Sequence, residues 1–214
     1  DDHRHRPMQR SRTASLPPRP ANRPYDRPYS PGMARLPYLT VDDLAEEDHK
    51  LLARDIHLNR LLAHNPGGAR AFGRLGGWIR FDQHLDARLR ELAILQVGWL
   101  ARSPYEWSHH VKLGLEFGCT DEDIAAIAAL DGGRPTHFNE LDLAVLAAAR
   151  QMADDLDVDD ATWATLNAHL STEEVMDLVL AAGFYCMVVR VLATLRIDVE
   201  PDYQPYLDRY PLPR

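Results

Sequence analysis

Glu106 and His110 stand four residues apart in the segment Ser103-Pro-Tyr-Glu-Trp-Ser-His-His. On a helix that spacing puts both side chains on one face with Cβ atoms about 6 Å apart, close enough to share a proton or a bound water. An imidazole has an ordinary pKa of about 6.5 and serves as acid or base near neutrality, while a carboxylate beside it sets its tautomer and charge. Glu106 also lies three residues after Ser103, so a capping-box carboxylate is its structural alternative, and for His110 the alternative is a satisfied neighbour. Glu91 falls early in a strongly apolar segment, favoured there by the helix dipole and disfavoured by the loss of water. It reads either as the partner of Arg88, Arg90 or another Arg, or as a second acid or base if it faces an enclosed pocket.

Other chemistries find less support. Glu106-x-x-His109 and Glu46-x-x-His49 both match the spacing of di-iron helical bundles, but on a helical wheel Glu46 falls opposite the stripe of Leu44, Leu51 and Leu62, so no metal is expected. Ser103, Ser108 and Ser171 lack a G-x-S-x-G context, and no G-x-G-x-x-G follows a strand, which leaves triad hydrolysis and dinucleotide binding without a motif. His49, His57, His64, His84, His137 and His169 are scattered singly and read as surface or capping residues. Cys119 and Cys186 are the two cysteines; they form no CxxC and read as buried free thiols.

The elements that must position these groups are helices. Asp42 or Asp43 opens one that runs to about His64, where Asn65-Pro66 stops it; a second covers about Pro66 to Phe81, its Gly73, Gly76 and Gly77 allowing a neighbouring backbone to approach closely. Asp86 starts a third, apolar nearly all round from Leu92 to Ala101 apart from Gln96, as befits a central buried helix. Ser103 and Pro104 open a fourth that reaches about Phe117, and Thr120 with Asp123 a short fifth. A sixth spans about Asn139 to Leu156, a seventh Asp160 to Leu170, and Ser171 with Glu174 caps an eighth ending near Leu195. No segment reads as sheet. The expectation is an all-α, single compact domain of about six to eight helices over residues 35–197, with residues 198–214 an extended arm that packs by Tyr203, Tyr206 and Tyr210.

At 214 residues, with 45% hydrophobic and 26% charged, the chain has the balance of an ordinary globular protein. Residues 1–34 are rich in Arg and Pro and read as a disordered or docking tail, with Met33 the expected natural start and Met8 the alternative. That tail holds seven Arg and three Asp, leaving 17 basic against 29 acidic residues and a charge of about −12 on the rest, a surface that repels nucleic acid. No run approaches the roughly 18 apolar residues of a membrane span and no secretory signal is visible, so a cytoplasmic protein without membrane or nucleic-acid partners is expected.

The run Arg88-Leu-Arg-Glu-Leu-Ala-Ile-Leu, then Ser103 to His110, then Gly118-Cys-Thr-Asp-Glu-Asp-Ile resembles the signature region of the carboxymuconolactone decarboxylase family. Asn59-Arg-Leu-Leu-Ala-His-Asn-Pro and Gly183-Phe-Tyr-Cys-Met-Val-Val-Arg are similar to its flanking helices, so the likeness covers about residues 40–200. The resemblance implies an alkylhydroperoxidase D-like fold. The reductase members carry a Glu, then Cys-x-His-Cys and a further His; here those places fall on Glu91, Ser103, Tyr105, Glu106 and His110, so both thiols are missing and disulfide exchange has no attacker. What the resemblance implies instead is the decarboxylase-like branch: a cofactor-free lyase acting by proton transfer on a small lactone or oxo acid. Glu91, Glu106 and His110 then line one pocket. His110 is the general acid or base, Glu106 sets its tautomer, and Glu91 handles a second proton. Tyr105, Trp107 and His109 are the expected substrate-binding residues, with plain core packing the alternative for Tyr105 and Trp107. The family also implies a homo-oligomer, trimer or hexamer. The competing class is a non-catalytic helical oligomer that binds a small molecule or partner.

Overall fold

A computed structural model describes residues 34–213, and within them every regular element is helical. The Arg/Pro-rich tail lies outside the described residues, apart from its last residue. The α-helices are α1 (His57–Leu62), α2 (Pro66–Phe81), α3 (Ala87–Leu100), α4 (Pro104–Glu116), α5 (Asp121–Asp131), α6 (Glu140–Asp154), α7 (Asp160–His169), α8 (Thr172–Leu195) and α9 (Gln204–Arg209).

The starts of these helices follow from short polar side chains that satisfy otherwise unpaired backbone N–H groups. Asn65, Asp86 and Asp159 accept from the residue three ahead, at 3.0, 3.1 and 2.7 Å. Thr120 with Asp123, Asn139 with Asp142 and Ser171 with Glu174 complete reciprocal capping boxes. Arg88 of α3 then grips two of those box carboxylates, Asp123 and Asp142, each at 2.7 Å, so one guanidinium ties the starts of α5 and α6 to the central helix.

Every residue of α3 from Leu89 to Leu100 is buried, with α4, α5, α6 and α8 packed around it. Burial on all sides explains why its apolar residues show no stripe. Helix α8 buries Leu178, Ala181, Ala182, Val188, Val189 and Leu192 against this core and leaves Met176, Leu180 and Met187 exposed. Its 24 residues are long and apolar enough by composition to cross a bilayer, contrary to the sequence expectation, and half of the apolar stretch is buried inside the fold.

Three further expectations need correction. The single helix from Asp42 to His64 is instead two 3-10 segments, Val41–Asp43 and Glu46–Leu52, followed by α1, because Leu44 and Ile56 are extended and interrupt the ladder. The arm after Asp198 is not extended: Pro201 and Pro205 sit in first turns, where a missing N–H costs nothing, and they open a 3-10 turn (Pro201–Tyr203) and α9, which packs on α4 of the same chain. Lastly, among the described residues no neighbouring backbone approaches Gly73, Gly76 or Gly77. A Cβ at Gly73 or Gly77 would meet nothing within 4 Å, and one at Gly76 would touch only the Phe184 ring.

Glycine in a helix interior costs about 1 kcal/mol relative to alanine. Gly77→Ala is therefore expected to raise the melting temperature, since the added methyl meets open space; a fall in a thermal-unfolding experiment would reveal a packing role that the fold does not display.

Candidate active site

The site is assembled where α4 crosses α3. Gly98 gives α4 its approach: its Cα side faces Glu106 and the Trp107 backbone, and its carbonyl accepts from Ser103 N–H at 3.1 Å. Because that N–H is already used, Glu106 does not complete a capping box. Ser103 Oγ accepts from Glu106 N–H at 3.4 Å, and the Glu106 carboxylate turns inward instead.

His110 stands between two carboxylates. Its Nδ1 lies 2.7 Å from Glu91 Oε2, and its Nε2 lies 3.1 Å from Glu106 Oε1 without the alignment of a hydrogen bond. Arg90 Nε donates to the other Glu91 oxygen at 3.1 Å, so the expected Arg90 pairing of Glu91 is present alongside the His110 contact. All three members of the row, Glu91, His110 and Glu106, are buried.

Their environments drive the two carboxyls apart. Burial pushes Glu91 up, but the charge and hydrogen bond of His110, joined by Arg90, outweigh it and hold the group below its ordinary range. Burial also pushes Glu106 up, the Glu91 charge adds to the rise, and His110 only partly opposes it. Glu91 is thus the fixed anion that accepts from His110 Nδ1–H. Glu106 is the carboxyl that holds or yields a proton, and it faces His110 Nε2.

A cavity of about 220 Å³ opens on this row. Glu106 and His110 line it together with Tyr105, His109 and Tyr185, while Glu91 sits behind His110 and does not reach it. The sequence expectation of three residues around one cavity thus resolves into two lining groups and one supporting group. Gly73, Gly76 and Gly77 form part of the wall from α2, and Arg54 and Arg80 line it without a carboxylate partner among the described residues.

The expected substrate-binding residues separate. Tyr105 and His109 line the cavity, whereas Trp107 is core: it packs on Trp99 at 5.3 Å and donates from Nε1 to the Tyr210 carbonyl at 2.7 Å. His109 is stacked between Tyr105 and Tyr203, at 4.1 and 3.5 Å, and contacts Glu200 through Nε2 at 2.9 Å. Burial pulls His109 down to about 4, which leaves it neutral and a donor to Glu200. Burial pushes Glu200 the other way, yet His109 and the His57 N–H hold it near 2. Tyr105 Oη donates to the same carboxylate at 3.1 Å. Glu200 was invisible from sequence because nothing in its spacing joins residue 200 to α4. Glu46 and His49 are exposed on a 3-10 segment, and among the described residues no group of three or more His, Cys, Asp or Glu side chains is arranged to hold a metal ion. Both cysteines are buried; burial pushes the Cys119 thiol up to about 12 and raises Cys186 as well.

The model of the carboxymuconolactone decarboxylase family matches residues 66–151, which contain Glu91, Glu106 and His110. Among solved structures, the debrominase Bmp8 in complex with 2,3,4-tribromopyrrole is 20% identical with a TM-score of 0.61, over 71% of this chain and 80% of its own. The alkylhydroperoxidase AhpD core of an uncharacterized peroxidase-related protein from Ralstonia eutropha JMP134 is 15% identical, with a TM-score of 0.67 over 82% of this chain and 96% of its own. A peroxidase-related protein from Silicibacter sp. TM1040 gives 15%, 0.64, 83% and 96%. At these identities the likeness shows the alkylhydroperoxidase D-like fold. No curated protein matches the sequence.

The opposed carboxyl shifts have opposite consequences for stability against pH. Glu106, raised in the fold, favours folding below the ordinary carboxyl range and loses that contribution as pH rises through its folded value. Glu106→Gln should therefore gain in melting temperature relative to wild type as pH climbs from about 4.5. Glu91, lowered in the fold, stabilises above that range and loses its contribution as pH falls through its folded value, so Glu91→Gln should be destabilised at neutral pH and approach wild type in acid. Parallel melting curves for the two variants across pH would contradict the assignment.

Proposed function

We propose that this chain, whose residues 66–151 match the model of the carboxymuconolactone decarboxylase family, is a cofactor-free acid–base enzyme that moves protons at an activated carbon of a small lactone or oxo acid. The observation that carries the reading is the buried Glu106 carboxyl, its Oε1 without an aligned donor, opening with His110 onto a small cavity. A core carboxyl left in that state is costly unless a ligand or proton transfer uses it.

Glu91 stays ionised and fixes His110 with Nδ1–H toward it, so Nε2 faces the cavity side and Glu106. One proton then lies between Nε2 and the Glu106 carboxyl, and either placement leaves the three groups with a net charge of −1. Removing a proton from substrate carbon, or supplying one after carbon dioxide departs with its bonding pair left on carbon, uses that position. This reverses the two carboxylate roles expected from sequence: Glu91 orients, and Glu106 exchanges the proton.

Arg54 and Arg80 support an acidic substrate, since both residues line the cavity and neither has a carboxylate partner among the described residues. A cavity of about 220 Å³ suits a compact molecule, and the planar ring bound by the debrominase Bmp8 is of that kind. The reading extends to a homo-oligomer, supported by the exposed apolar Met176, Leu180 and Met187 on α8.

The test is a panel of 2-oxo acids, 3-oxo acids and carboxylated γ-lactones in deuterium oxide, followed by NMR for carbon-bound deuterium and for carbon dioxide release. Wild type should turn over at least one member. His110→Ala should lower that rate by about 10²-fold or more, and replacing both cysteines should leave it largely intact. An inert wild type, or a folded His110→Ala variant with unchanged rate, would overturn the reading in favour of a non-catalytic binder.

A further inference from the structure

Tyr185 of α8 has no part in the proton row, yet it lines the same cavity and is only 6% exposed. Its ring stands edge-on to His110, with centroids 4.8 Å apart and planes at 80°. Two neighbouring tyrosine hydroxyls, by contrast, are used. Tyr105 Oη donates to Glu200 and accepts from Leu58 N–H, and Tyr38 Oη is bonded to Asp198. The Tyr185 hydroxyl makes no hydrogen bond among the described residues.

The hydroxyl is not one of the enclosed, unpaired polar atoms of the core, so it reaches the cavity, where phenylalanine would fill the same space but present no donor. Burial, followed by the negative charges of Glu106 and Glu91, pushes the phenol well up, so it remains protonated and is a donor.

We propose that Tyr185 Oη donates a hydrogen bond to the carbonyl oxygen of the bound substrate as that oxygen becomes an oxyanion, which makes Tyr185 a catalytic residue. The proposal rests on the acid–base reading above and adds to it the electrophilic half. When the carbon–hydrogen bond breaks, its proton passes to the His110–Glu106 pair and its electron pair forms a carbon–carbon double bond. The carbonyl π pair then moves onto oxygen. When a carboxylate is lost instead, carbon dioxide leaves and the same pair follows the same path. Tyr185 keeps its proton throughout. On collapse the pair returns to carbon, which takes a proton from His110–Glu106, so no oxidant, reductant or co-reactant is needed. The substrate must accordingly carry a carbonyl next to the reacting carbon, as an oxo acid or lactone does.

The experiment compares wild type, His110→Ala and Tyr185→Phe on the panel member that wild type turns over, separating kcat from KM. The expected result for Tyr185→Phe is an unchanged or raised melting temperature, a kcat lower by about 10²-fold, the scale of one lost oxyanion donor, and little change in KM. The loss should shrink for panel members whose carbon acid is stronger, a trend that a purely structural role would not produce. If Tyr185→Phe does not fold, 3-fluorotyrosine at 185 keeps the shape and makes the phenol a stronger donor, and kcat must change. A Tyr185→Phe or fluorotyrosine kcat within twofold of wild type, with His110→Ala inactive, overturns this proposal and leaves the acid–base reading standing. An inert wild type overturns both.

Discussion

The charge of Glu91 inside α3 is the constraint on which the rest of the site depends. A carboxylate in the most enclosed helix of the fold is tolerated only if it is paired, and removing one partner of a buried ion pair costs about 3–5 kcal/mol. Arg90 supplies one donor from the same helix and His110 the other from α4. The pairing fixes how α4 lies on α3, and thereby fixes which imidazole nitrogen faces Glu106. The electrostatic solution to a folding problem is therefore also what prepares the imidazole. Arg88, two residues before Arg90, performs the purely structural counterpart by gripping the capping carboxylates of α5 and α6.

A partly buried carboxylate closes the other side. Glu200 gathers the His57 N–H, His109 and Tyr105 around one anion, and His109 is sandwiched between aromatic rings. This converts the residues after Asp198 from an arm into part of the cavity surround, because two wall residues of α4 depend on a carboxylate from the far end of the chain. Neutral His109 is committed to Glu200, whereas His110 lies between Glu91 and Glu106. The two adjacent histidines thus have separate duties set by their partners, although their types are identical.

Helix positions were legible wherever a turn or capping residue met a run of apolar residues: α2 through α8 begin within a residue or so of the places that Pro66, Asp86, Ser103, Thr120, Asn139, Asp160 and Ser171 mark. The pair Glu106 and His110 was legible from helical spacing. Glu91 was legible as a buried carboxylate, although only the family resemblance joined it to them. What spacing does not carry is long-range pairing. Whether Glu106 caps or turns inward depends on Gly98 taking the Ser103 N–H, and Glu200, Arg54, Arg80 and Tyr185 reach the cavity from separate elements. The prolines of the last segment misled because proline forbids a helix interior but favours a first turn. The glycines of α2 suggested a packed neighbour, and their free face instead lines the cavity.

The central claim is that Glu91 is ionised and holds His110 with the proton on Nδ1. Nitrogen-15 NMR of the imidazole in the folded wild-type protein tests it directly. The account predicts a protonated Nδ1, hydrogen-bonded to Glu91, with the exchangeable proton of the row confined to Nε2 and Glu106. An unprotonated Nδ1 accepting from a neutral Glu91 carboxyl would contradict it.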